Sequence, residues 1–224
     1  MIPKLKLFLS VYAVFIFQSV LHSEEIAAET LRFKTLNAVR TETAPMIDGN
    51  IDDEVWTKAK PVDDFLQFEP YNLVPASVRT EVRVMYDDDN LYIAFKNFDP
   101  NPPSVMKRMS RRDDYEVIGE QTDWVGFGLD SNNDDLTGYW FMLSAAEVQL
   151  DVSINETGGW RNMYDPSWDA VWDGKTSTHS EGWSAEIRIP FNVFQFTKDN
   201  EQVWGGTFQR GYYANQEQIQ WPGR

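Results

Sequence analysis

From Val78 onward the chain is written almost entirely in period two. Val78, Thr80, Val82, Val84 and Tyr86 alternate with Arg79, Glu81, Arg83 and Met85. Successive side chains of an extended strand point to opposite faces, so this pattern predicts a strand with one face against a core. Asp87-Asp88-Asp89-Asn90 supplies turn chemistry, and the alternation resumes at Leu91, Ile93 and Phe95. Similar runs follow at Trp124 to Leu129, Gly138 to Ser144, Gln149 to Ile154, Lys175 to Ser180, Trp183 to Ile189 and Val203 to Tyr213. Asn37 to Arg40 reads as a first edge strand. Asp52 then caps a short helix through Val55, Trp56 and Ala59, which Pro61 ends. The expected fold is all-β: an antiparallel β-sandwich of about nine to ten strands with one short N-terminal helix.

Ahead of this pattern lies a different kind of segment. Lys4 and Lys6 precede an apolar run from Leu7 to Val20, and Leu21-His22-Ser23 ends in a small residue before Glu24 and Glu25. That order is the layout of a secretory signal peptide over 1–23, with an uncleaved anchor as the alternative. Residues 24–35 then read as a disordered leader and 36–224 as one domain. Export to the periplasm, the outer membrane or the medium is expected, with no membrane span in the mature chain. There is no Cys, which excludes disulfides, thiolate metal sites and a lipid-modified N-terminal Cys. The formal charge of −15 becomes more negative when Lys4 and Lys6 leave, and so acidic a chain repels nucleic acid.

Aromatic residues make up 14% of the chain and include nine Trp, the side chain best suited to stacking on a sugar ring. Trp56, Trp172, Trp183 and Trp204 sit in periodic apolar context and read as core. Trp124 shares its strand face with Gly126 and Gly128, which would leave a flat trough unless a loop covers it. Two long irregular stretches, Asp99 to Glu120 and Asn155 to Val171, carry further candidates, since binding residues concentrate on loops. Trp160 and Trp168 would stack, while Arg111, Arg112 and Asn155 would bond hydroxyls. The alternative for each polar residue is a solvated surface.

Catalysis has less to work with. His22 lies in the signal-peptide segment, so His179 is the only His expected in the mature chain, and a Ser-His-Asp triad or a multi-His metal centre is disfavoured. Asp113, Asp114 and Glu116 beside Arg111 and Arg112 form the best carboxylate cluster for a glycoside hydrolase, but no motif singles out a pair. A haem-binding sandwich is a further alternative, with Met106, Met109, Met142 and Met163 as available ligands. Asp130, Asn132 and Asp134 place oxygen atoms at alternate positions, which suits Ca²⁺ or, equally, an Asx-rich turn.

Three segments resemble the family 9 carbohydrate-binding modules. Met46-Ile47-Asp48-Gly49-Asn50-Ile51-Asp52-Asp53-Glu54-Val55-Trp56 resembles their opening motif, Met85 to Ala94 their Tyr-Asp-Asp hairpin, and Gly182 to Phe191 their Gly-Trp…Glu…Ile-Pro strand. The matches run from about residue 46 to 195. The resemblance implies a non-catalytic module binding poly- or oligosaccharide, with structural calcium common. The family holds sugar between two Trp, and no pair here matches them, so no ligand residue is carried over.

Asp123 to Asp130 and Trp168 to Trp172 resemble a narrower branch, found ahead of outer-membrane β-barrels of unknown function. On that resemblance the chain, ending at Arg224, is expected to be cut before a barrel. A protein-interaction role beside such a barrel is then the alternative function.

Overall fold

The computed structural model describes residues 34–159, 163–199 and 201–222. The segment read as a signal peptide, and most of the one read as a leader, lie outside them. The described residues from Leu36 onward belong to one compact unit. Two sheets form it. The first has the order β1 (Val39–Arg40), β3 (Thr80–Tyr86), β4 (Asn90–Phe98), β10 (Gly182–Pro190) and β9 (Asp173–His179). The second runs β2 (Leu66–Glu69), β12 (Glu217–Trp221), β11 (Gly205–Tyr212), β5 (Trp124–Asp130), β6 (Thr137–Ser144), β7 (Gln149–Asn155) and β8 (Tyr164–Asp165).

The alternating pattern predicted most of this. All pairings are antiparallel except β1 with β3, where Val39 pairs Met85 in parallel. The turn after β3 is held by Asp87 Oδ1, which accepts from the backbone N–H of Asp89 at 2.8 Å and of Asn90 at 2.7 Å. Tyr92 then donates to Asp87 Oδ2 at 2.6 Å. Burial and that carboxylate push the Tyr92 phenol up to about 12.

Three strands lack a clear period and were not expected: the short β2 and β8, and β12. The run from Val203 does not continue as one strand, because Gln216 adopts φ 50° and turns the chain back into β12. The N-terminal helix is a 3₁₀ helix, Glu54–Lys58, with Asp53 rather than Asp52 at its N-cap. The Asp53 carboxylate makes no capping bond and accepts instead from the Met46 N–H at 2.7 Å. The first long irregular stretch contains a short α-helix, α1 (Tyr115–Glu120), capped by Asp114.

The inner faces meet in an apolar core, with Phe95 of one sheet and Phe208 of the other in edge contact at 6.0 Å. One cation crosses this core. Arg210, fully buried on β11, donates to the carbonyls of Arg79 and Phe98 and to Thr80 Oγ1 at 3.0–3.1 Å. Burial pulls its guanidinium down to about 10, while Asp123 and Asp99 pull the other way. The outer face of the first sheet is covered by the 3₁₀ helix, whose Trp56 and Val55 pack on Met85, Tyr92 and Ala94.

Candidate functional site

Pro190 has no N–H to continue a ladder, and β10 ends there in a 3₁₀ turn, Phe191–Val193. The segment that follows is rich in Phe and crosses the end of the sandwich toward β11. A row of rings results. Trp168 lies 5.0 Å from Tyr139, Tyr139 lies 5.4 Å from Phe194, and Phe194 lies 5.3 Å from Trp204. Trp204 in turn meets Phe196 at 5.6 Å and Phe191 at 6.2 Å. The backbone is pinned on both sides of Gln195, whose N–H donates to Tyr139 Oη at 3.1 Å while its carbonyl accepts from Ser131 Oγ.

At its outer end this row opens on a concavity of about 680 Å³. Phe191, Phe194 and Phe196 supply its apolar lining, and Phe196 is 40% exposed. Asn192, Gln195 and Lys198 also line it, and among the described residues none of their side chains has a hydrogen-bond or ion-pair partner. Gln202 is different: its Nε2 donates to the carbonyls of Thr197 and Asp199, and its Oε1 accepts from Trp204 Nε1. An apolar aromatic wall edged by free amides is the chemistry that receives a sugar ring.

A second groove, of about 690 Å³, runs beside β9 and is lined by Met46, Gln149, Trp172 and paired charges. Lys175 binds Glu147 at 2.9 Å and Arg188 binds Asp173. Trp172 is buried, so this groove offers no open ring.

The residues expected to bind sugar do not converge. Trp124 is 3% exposed: α1 covers its face, and its Nε1 donates to Gly119 O at 3.1 Å. The glycine trough exists, but the chain's own rings fill it. A Cβ on Gly211 would sit 2.1 Å from Trp124 Nε1, and one on Gly128 would sit 2.9 Å from Trp140. Trp168 is half-buried and joins the ring row by its inner end. Trp160 lies outside the described residues.

Two of the three polar candidates, Arg112 and Asn155, serve the fold. Arg112 bonds Gln149, the buried Asp151 and the carbonyl of Ala170, and lies 3.0 Å from Asp169. Asp151 also accepts from Ala170 N and Trp172 Nε1. Arg112 therefore ties the two long loops to β7. Asn155 accepts from the Thr157 N–H at 3.0 Å and caps a 3₁₀ turn. Arg111 is exposed and unpaired among the described residues. Of the Trp assigned to the core, Trp56, Trp172 and Trp183 are buried, whereas Trp204 is only partly so and belongs to the candidate site.

The calcium candidates serve their own turn in part, while Asp130 Oδ1 is buried with no partner among the described residues. Asp134 Oδ1 accepts from the N–H of Leu136 at 2.8 Å and of Thr137 at 2.7 Å. Asp130 Oδ2 accepts from the Asp135 N–H, and Asn132 Nδ2 donates to Thr137 Oγ1. Those backbone bonds hold the Asp134 carboxyl below its ordinary value. Among the described residues no group of three or more His, Cys, Asp or Glu is placed to hold a metal ion.

The family model for carbohydrate family 9 binding domain-like proteins matches residues 47–219. The chain belongs to that family. Its members are non-catalytic binding modules. Solved structures agree on the fold. A family 9 module from Caldicellulosiruptor kristjanssonii in complex with glucose has a TM-score of 0.53 at 19% identity, covering 84% of this chain and 85% of the other. The complex of such a module with cellotriose gives 0.51 at 19% identity, over 84% and 83%. A putative carbohydrate-binding protein from Bacteroides uniformis gives 0.59 at 14% identity, over 83% and 87%. At these identities the likeness shows the fold alone. A comparison with curated proteins finds no match.

Proposed function

We propose that this domain captures poly- or oligosaccharide at the cell envelope without cleaving it, through the aromatic concavity at the end of the sandwich. The row Trp168–Tyr139–Phe194–Trp204–Phe196, opening beside the unpaired side chains of Asn192, Gln195 and Lys198, is the observation that carries the reading. Family membership supports it, as do the glucose and cellotriose bound by structural neighbours.

Calorimetry of the purified domain against plant and microbial glycans tests it, with Phe196→Ala and Phe191→Ala in parallel. Losing a stacking ring at an energetic hot spot costs about 2 kcal/mol, roughly thirtyfold in affinity. Weaker binding at an unchanged melting temperature supports the site. Release of product sugars, or no binding to any glycan, overturns the reading.

The envelope setting rests on the leader motif and on the resemblance to domains that precede outer-membrane barrels. It requires an exported protein that begins near Glu24. N-terminal sequencing that returns Lys4 and Lys6 excludes the cleaved signal peptide and leaves the uncleaved anchor.

A further inference from the structure

The outer face of the seven-stranded sheet carries its own arrangement. In register across β6, β5, β11 and β12 lie Trp140, Gly128 and Thr207, then Gln209 beside Gln220. The six-membered part of the Trp140 indole reaches over Gly128, where a Cβ would meet it at 2.9 Å and Thr207 Cγ2 at 3.4 Å. Trp140 is only half-buried, and its Nε1 has no acceptor among the described residues. Gln209 Nε2 donates to Gln220 Oε1 at 3.4 Å. Gln220 is 4% exposed, yet its Nε2 has no partner among the described residues. In a chain of net charge −15, these positions carry no charge; the carboxylates of Asp130, two residues along β5 from Gly128, and of Glu69, in register with Gln218, stand at the border.

We infer that this face is a second saccharide surface, one that takes a linear, uncharged polysaccharide laid across the strands. The inference rests on the carbohydrate-binding reading above. A flat indole offers the apolar face of a sugar its stacking partner, and the Gln209 amide oxygen, set by the bond to Gln220, accepts from its hydroxyls. Strands about 4.8 Å apart and about 3.4 Å of rise per residue set Trp140 and Gln209 roughly 12 Å from one another, so only an extended chain reaches both. A polymer engaged at two surfaces of one module gains by effective concentration, whereas a short sugar does not.

The test compares hydroxyethylcellulose, arabinoxylan and galactomannan, each with its own trisaccharide, by affinity electrophoresis and calorimetry. Trp140→Ala is the first variant. Thr207→Glu, at a partly exposed position, guards against a folding defect, and unchanged melting temperatures confirm it. The expected result is polymer affinity reduced roughly tenfold or more, with trisaccharide affinity kept. Phe196→Ala, by contrast, weakens both. Polymer affinity unchanged in both face variants overturns this inference and leaves the concavity standing. A dimer of the wild type that Thr207→Glu dissociates assigns the face to protein contact and also overturns it. A wild type that binds another glycan but none of the three polymers overturns this inference alone, and one that binds no glycan at all removes both readings.

Discussion

The indole Nε1 of Trp56 donates a 2.7 Å hydrogen bond to Oε1 of Glu186, a residue 130 positions later in the chain. The other carboxylate oxygen accepts from the N–H groups of Asp48 at 3.0 Å and Gly49 at 2.9 Å. Gly49 has φ 92°, and a Cβ there would sit 2.4 Å from the Thr176 carbonyl carbon. One buried carboxylate thus clamps the opening motif onto β10, which explains why those two motifs occur together in one fold.

Glu186 also makes stability depend on pH. Burial pushes its carboxyl up from 4.5 to about 7, against the pull of the three N–H donors. The folded state holds a proton that the unfolded state releases, so this contribution is complete below pH 4.5 and is lost as pH rises through about 7. Glu186→Gln has one acceptor oxygen for three donors and is expected to unfold more easily, by about 1–3 kcal/mol near pH 5. Denaturant titrations should show that gap narrowing toward about pH 8, since only the wild type carries the titration. A gap independent of pH would remove Glu186 from the account.

Trp124 and Gly211 form a steric pair, with the indole lying where a Gly211 side chain would be. Trp124→Ala should cost about 3–5 kcal/mol of stability, the range for emptying a buried Trp site. Gly211→Ala should destabilise the wild type and cost less in the Trp124→Ala background, where the space is free. Additive losses in the melting temperatures of this cycle would contradict the packing.

Arg112 and Asp151 are expected to behave as a structural pair. Asp151 is fully buried while the Arg112 side chain is 34% exposed, so Arg112→Ala should cost about 1–3 kcal/mol. A cycle with Asp151→Asn should show coupling of about 1 kcal/mol. Glycan affinity should survive in Arg112→Ala material that remains folded at the assay temperature. Binding lost without any change in melting temperature would instead make Arg112 a ligand residue.

Asp134 serves the turn between β5 and β6, and its depressed carboxyl contributes stability above pH 3.8 that fades as the pH falls further. Asp134→Ala should lower the melting temperature equally with calcium and with chelator. A wild type that melts later in calcium, and loses that gain in Asp134→Ala, would establish the metal.

Strands and turns were legible because their causes are local. The alternation from Val78 to Tyr86 states which side chains go inward, and the Asp87 carboxylate reaches N–H groups two and three residues away. Exposure is not local. Trp124 and Trp204 look alike in sequence, each in or beside a strand with glycine neighbours. α1 seals Trp124, whereas Trp204 meets only the Phe-rich segment after Pro190 and stays half open. Arg112 looked like a free loop cation until the fold set Asp151 beneath it, 39 residues further on. Alternation along the chain was enough for the two-sheet core, since a side chain's direction along a strand is set by its immediate neighbours. The tertiary structure alone decided which rings and charges remain available, since that depends on what packs over them from distant parts of the chain.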